Sequence, residues 1–390
     1  MTNIAVEKTE RNLKTLQHSF PRFPHVVRED KWITSSDEEW EKLTDGYWTP
    51  GFWIGMLWLC YAITKDEKFA RAAQKWITPI EPRSRTTSLH DLGFLFYPSA
   101  VLGYEISGNE KLKKLALTAA RSLLNRFQTD LGFLNLHDSP HYKRCVAIDT
   151  MMNIPLLWWA WKNSGNKDFY NAASAHAANT KKHLIRANGS TCHILRFKDA
   201  EFRDSELRIR NSGFLSQNPN PELRTTIETW QGASPQSCWS RGHAWAVAGC
   251  ANAFFYTGEI IYKEIFESLL DFYLKNAPPD FVPYWDFNSP EIPNTERDSS
   301  AAAITAYGIL TLCRTKKNDK SLINTAKKIL RSLVENYLTP ADHPAILKHV
   351  CFHKPAAIDT DCSSIFADFY FLIALHLLKQ FNLQGRLAQT

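Results

Sequence analysis

One pattern recurs along the 390-residue chain and limits what it can fold into: an apolar helix, a short polar turn, then an amphipathic helix. The turns read Thr64-Lys65-Asp66-Glu67, Ser107-Gly108-Asn109-Glu110, Ser164-Gly165-Asn166-Lys167, Thr257-Gly258-Glu259 and Lys316-Lys317-Asn318-Asp319. Each joins a Gly or Lys stop to an Asn, Asp or Glu start. Behind the turns, Leu112, Leu115, Ala116, Ala119 and Leu123 recur at helical spacing, as do Leu322, Ala326, Ile329, Leu333 and Tyr337, so these helices have one wet face. The segments ahead of the turns, Ile154 to Trp161, Ala244 to Phe255 and Ala301 to Leu312 among them, are apolar on nearly every side, which marks helices buried all round.

Five turns predict five hairpins. The unpaired apolar segment Ala367 to Leu378 and the unpaired amphipathic segment Ile4 to Gln17 supply a sixth and close a ring. The expectation is an all-α chain, an (α/α)6 barrel in one domain over residues 1–390. An open tetratricopeptide-type solenoid is the alternative, but its repeat length is fixed and the spacing here varies. Between Arg186 and Cys238, Pro219, Pro221, Pro235, Gly213 and Gly232 break any long helix, and short strands are expected near Ser190 to Phe197, at the barrel mouth.

In such a barrel the N-terminal ends of the inner helices gather at one mouth. The residues just before them are Trp48 to Trp53, His90-Asp91-Leu92-Gly93-Phe94, Ile148-Asp149-Thr150, Trp239-Ser240-Arg241-Gly242-His243-Ala244-Trp245 and Arg297-Asp298. Carboxylates, an Arg, histidines and indoles meeting there are the ingredients for protonating an anionic sugar. Asp149, between Cys145-Val146-Ala147-Ile148 and Met151-Met152, is expected to be desolvated, with a raised pKa that keeps a general acid's proton in place. Structural readings stand beside these: Asp91, Asp149 and Asp298 as N-caps, Arg241 as partner of a carboxylate, and His90, His193 and His243 as satisfied core or loop groups. The 13 Trp, 13 Tyr and 23 Phe suit either sugar platforms or an aromatic core.

Charge and motif searches narrow the field. The net charge of +6 is spread without a run of five like charges, which gives no support to nucleic-acid or membrane binding. The apolar stretch Gly51 to Ile63 is short of the roughly 18 to 20 residues of a membrane span. Met1 to Phe20 lacks the apolar region of a secretory signal, so the cytoplasm is expected. Eight cysteines without a Cys-x-x-Cys pair read as reduced thiols. Nucleotide-loop and serine-hydrolase motifs are missing, and Pro140 spoils the His137-to-His141 metal spacing, so no metal is expected.

His90-Asp91-Leu92-Gly93-Phe94, Ala147-Ile148-Asp149-Thr150-Met151-Met152-Asn153, Arg241-Gly242-x-Ala244-Trp245, Tyr284-Trp285-Asp286-Phe287 and Arg297-Asp298-Ser299-Ser300-Ala301 resemble the unsaturated glucuronyl hydrolases, family 88 of the glycoside hydrolases. The likeness runs in order from Phe23 to Tyr370. It implies an (α/α)6-barrel enzyme without cofactor. Such an enzyme removes the C4=C5 unsaturated uronic acid from the non-reducing end of lyase-generated di- or oligosaccharides; for this chain a monomer or homodimer is expected. The resemblance implies Asp149 as general acid and base and Asp91 as second carboxylate, with His193, Gln231, Arg241 and Trp245 around the sugar; clustering adds Trp48, His90, Trp239 and His243. It implies protonation at C4, an oxocarbenium at C5, hydration there, and a hemiketal that opens and releases the glycan. Two departures are expected to face the leaving sugar: His243 where the family has Gln, a group titrating near about pH 6.5, and the Gly-poor loop Cys351 to Ser364. An inverting glycosidase using Asp91 and Asp149, and a non-catalytic helical scaffold, remain the competing readings.

Overall fold

The computed structural model describes residues 1–34, 47–86, 88, 90–138, 142, 144–197, 225–315 and 319–387. Most of the insertion, residues 198–224, therefore lies outside the described residues.

The helices start and stop where the turn chemistry directs. Helix α2 (Pro50–Thr64) ends on Lys65 in the left-handed conformation, and the side chain of Asp66 caps α3 (Glu67–Ile77) by accepting from Lys68 N–H. Gly108, Gly165 and Gly258 take positive φ at the equivalent stops. Asn109, Asn166 and Asp319 cap α6 (Glu110–Leu124), α8 (Lys167–Leu184) and α12 (Lys320–Asn336).

Inner helices follow the expected segments: α7 (Pro155–Ser164), α9 (Ser240–Thr257), α11 (Ser299–Cys313) and α13 (Ile365–Leu387). Another is irregular, running as α4 (Leu92–Phe96), a wide π turn over Tyr97–Val101, and α5 (Leu102–Ser107). Pro98 lacks the N–H that a regular helix would use there. Around the axis α2 packs on α4, α4 on α7, α7 on α9, α9 on α11, α11 on α13, and α13 back on α2. Outside them lie α3, α6, α8, α10 (Ile260–Asn276) and α12, while α1 (Thr2–Leu16) touches both α2 and α13 at the seam. The architecture is the (α/α)6 barrel, and one continuous apolar core runs from α1 to α13.

Short antiparallel strands decorate the mouth. β1 (Pro24–Arg28) pairs with β2 (Lys31–Thr34) and with β8 (Ser363–Ser364), and β3 (Phe127–Gln128) pairs with β4 (Phe133–Leu134). The sheet that matters most is β5 (Cys145–Ala147), β6 (Ile194–Phe197) and β7 (Thr225–Glu228), in that order, with Val146 opposite Leu195 and Leu195 opposite Ile227. Asp149 follows β5, His193 precedes β6 and Gln231 follows β7, so one small sheet gathers three candidate side chains from distant parts of the chain. No helix among the described residues is long and apolar enough to cross a membrane.

Candidate active site

A cavity of about 340 Å³ opens where the inner helices begin. Its wall includes Trp48, His90, Asp91, Asp149, His193, Gln231, Trp239, Arg241 and Trp245, which are nine of the ten expected residues. Positive helix ends face it, an arrangement that favours anions.

Asp91 and Asp149 reach each other through His90. His90 Nε2 lies 3.2 Å from Asp149 Oδ1 and 3.3 Å from Asp91 Oδ1, while its Nδ1 lies 3.0 Å from the carbonyl oxygen of Leu136. A carbonyl only accepts, so Nδ1 carries hydrogen and Nε2 faces both carboxylates. Close backbone approach makes this possible: a Cβ on Gly93 would stand 2.2 Å from Asn153 Cα. Asn153 ties the two segments, accepting from Phe94 N–H at 2.9 Å and donating to Asp91 Oδ1 at 3.4 Å.

The N-cap reading fails for Asp91 and Asp149, neither of which makes a side-chain cap bond. It holds for Asp298, which accepts from Ser300 N–H at 3.1 Å at the head of α11.

Electrostatics invert one expectation. Burial alone would raise the Asp149 pKa, but the hydrogen bond and charge of His90, then His193 and Arg241, outweigh it and hold the carboxyl below its ordinary value. Its apolar neighbours Ile148, Met151 and Met152 turn into the core, whereas Asp149 itself faces the cavity with its side chain 22% exposed. Asp91 goes the other way: burial, with Asp149 beside it, raises its pKa against the opposing pull of His90. Burial works against charge on His90, yet Asp91 and Asp149 together lift its pKa to about 9. The resting cluster thus keeps a proton at neutral pH on His90 rather than on Asp149.

His193 is an oriented neutral donor. Thr229 Oγ1 lies 3.0 Å from its Nδ1, and the N–H groups of Trp230 and Gln231 approach the same atom at 3.3 and 3.4 Å. These contacts place its hydrogen on Nε2, and burial lowers its pKa to about 4.

Arg241 takes the structural role and still lines the cavity. It is 1% exposed, pairs with the buried Asp298 at 3.0 Å, donates to the carbonyls of Cys351 and Phe352, and lies over the Trp239 ring at 4.8 Å.

The tenth residue, His243, is not in the site. It lies on the far side of α9, fully buried, with Nε2 bonded to Leu269 O at 3.0 Å and the ring packed against Phe272, Tyr273 and Phe287. One position beyond Gly242 the helix has turned away from the mouth, so sequence adjacency to Arg241 misplaced it. Burial drops its pKa to about 4, and it does not titrate near neutrality.

Other wall residues escaped sequence reasoning. Tyr142 and Trp230 meet edge to face at 4.6 Å, and Tyr47, His137, Phe352, His353 and Ile358 also face the cavity. Only the loop from Cys351 carried any signal, through its departure from the family pattern. Among the described residues Trp53, Trp58, Trp76 and Trp158 serve the core, whereas Trp48, Trp230, Trp239 and Trp245 stand at the wall. Among the described residues no three His, Cys, Asp or Glu side chains are grouped to hold a metal ion. A larger hollow of about 550 Å³ sits at the other end of the barrel; its Tyr97 and Tyr256 bond each other at 2.8 Å.

Comparisons with known proteins agree with this fold. The chain is 31% identical over 387 residues to the unsaturated glucuronyl hydrolase of Bacillus sp. (strain GL1), covering 95% of this chain and 94% of that one. It is 33% identical over 336 residues to the unsaturated glucuronyl hydrolase of Formosa agariphila, covering 84% and 79%. The crystal structure of the Bacillus sp. GL1 unsaturated glucuronyl hydrolase superposes with a TM-score of 0.82 at 29% identity, covering 97% of both chains. The pattern of Glycosyl Hydrolase Family 88 matches residues 15–381, and the chain belongs to that family.

Proposed function

We infer that this enzyme removes the C4=C5 unsaturated uronic acid from the non-reducing end of lyase-generated oligosaccharides, glycosaminoglycan-derived or related. The observation that carries the reading is the placing of Asp91 and Asp149 on one nitrogen of His90. Carboxylate oxygens 3.2 and 3.3 Å from one nitrogen stand at most 6.5 Å apart, the bottom of the roughly 6.5–9.5 Å range in which an inverting glycosidase seats its water, and the space between them is taken by the imidazole. One carboxylate facing the sugar, backed by a proton-bearing imidazole, suits hydration of an enol ether instead.

In this reading Asp149 gives its proton to C4 as the C4=C5 pair of electrons forms the new C–H bond. Positive charge develops at C5 and on the ring oxygen. The ionised Asp149 then takes a proton from the water that attacks C5. The resulting hemiketal opens and expels the remaining glycan. In the same reading His193 Nε2–H and the Gln231 amide hold the ring, and Trp48, Trp239 and Trp245 lie beside its apolar face; all five line the cavity. The eight cysteines are all buried, which suits thiols in a reducing compartment, and we place the enzyme in the cytoplasm.

The test is incubation with a lyase-generated unsaturated disaccharide while following the ultraviolet band of the conjugated double bond. The wild type should abolish the band, and Asp149→Asn should slow its loss by on the order of 10²–10⁴-fold. Cleavage of saturated sugars with the unsaturated ones untouched would refute the assignment.

A further inference from the structure

The proton Asp149 must deliver does not rest on Asp149. Its neighbour His90 is built to hold one: His90 N–H and Nδ1 both bond the carbonyl oxygen of Leu136, at 3.1 and 3.0 Å, which fixes the ring and leaves Nε2 nowhere to point except between the two carboxylates. Building on the function proposed above, we propose that His90 is a positioning residue that loads Asp149: with the unsaturated uronate in the cavity, the Nε2 proton passes to Asp149 Oδ1, and it returns after water has added.

Each transfer balances. The His90 Nε2–H bond breaks as Asp149 Oδ1–H forms, leaving a neutral imidazole with hydrogen on Nδ1. Asp149 then protonates C4, with both electrons of the C4=C5 bond going to C4–H. Water adds to C5 and its released proton goes to Asp149, then back to Nε2. Bound substrate drives the first transfer, because its carboxylate adds negative charge beside Asp149 and its ring displaces water, both favouring the protonated acid.

The remaining groups around the cluster leave His90 as the carrier. Arg83 and Arg126 act on Asp91, and Arg241 acts on Asp149, but a guanidinium does not give up its proton. His176, whose pKa falls to about 3, and His193 at about 4 stay neutral, and His137 is shifted the same way. The Tyr47 hydroxyl, close to both carboxylates, is pushed far up by burial and keeps its proton.

The experiment compares wild type, His90→Asn and His90→Gly on the unsaturated disaccharide from pH 4.5 to 9.5. At pH 8, His90→Asn should lose about 100-fold in kcat. At pH 5 it should stay within about tenfold of wild type, since Asp149, freed of the imidazolium, takes its proton from water. The basic limb of kcat thereby moves toward acid by two units or more. Added imidazole should restore the pH 8 rate of His90→Gly at least tenfold; if His90→Gly does not fold, the His90→Asn profile decides alone. A uniform loss at all pH values with the limb in place, in a variant that melts like wild type, would overturn the relay while leaving the assigned activity intact. A wild type that leaves the ultraviolet band unchanged would overturn both.

Discussion

Arg241 and Asp298 form a buried ion pair, their side chains 2% and 0% exposed, and removing one member strands the other. Arg241→Leu is expected to lower the unfolding free energy by about 3–5 kcal/mol in urea titration. His243 makes a different prediction. The unfolded chain takes up a proton at this residue below its ordinary pKa of 6.5, whereas the folded chain refuses it until about pH 4. Its contribution is therefore complete above pH 6.5 and drains away as the pH falls toward 4. His243→Gln should flatten the drop in Tm across that window, read by calorimetry, and leave the pH profile of kcat in place; a moved kcat profile would return His243 to the chemistry. Residue identity was readable where a side chain sits on the mouth-facing side of its helix, as Trp239, Arg241 and Trp245 do. The sequence could not report that Asp149 would meet an imidazolium, because no ionisable residue flanks it from Val146 to Ile154 and the partner stands 59 positions away.

At the scale of elements, capping chemistry made the hairpins legible: Asp66, Asn109, Asn166 and Asp319 each start a helix as their side chains dictate. The strands were harder, since β5, β6 and β7 are three or four residues long and pair across the chain, too short for alternation to stand out. The packing of α4 against the turn that carries Asp149 yields a further test. Gly93→Ala would drive a methyl group into the Asn153 backbone, pushing apart the segments that hold Asp91 and Asp149. Stability should fall by about 1–3 kcal/mol, and kcat should fall more than KM rises, because the carboxylates separate while the sugar platforms stay. Unchanged kcat in a folded variant would show that their spacing is not critical.

For the whole molecule, ring closure depends on Lys8. Its ammonium, on α1, shares its three N–H donors among four oxygens, Thr339 Oγ1 at 2.7 Å and the carbonyls of Pro340, His343 and Ala345 at 2.6, 2.8 and 2.9 Å. Asp368 on α13 lies close by and accepts from the N–H groups of Ile346 and Leu347, both at 2.9 Å. Lys8→Met would leave the His343 carbonyl without its donor and strip a charged donor from Pro340 and Ala345, which keep bonds from His343 N–H and the Thr339 hydroxyl, and should cost about 1–3 kcal/mol, measured by chemical denaturation. The ring itself was visible in the unpaired first and last segments, but the lysine that fastens it was not, since nothing local distinguishes Lys8 from the surface lysines around it.

That fastening spans more than 330 positions. On a ribosome α1 must wait, its ammonium hydrated, until residues 339–345 have been made. The ring therefore cannot be fastened before that segment emerges, and a nascent chain stalled ahead of residue 339 would expose the seam to chaperones and proteases.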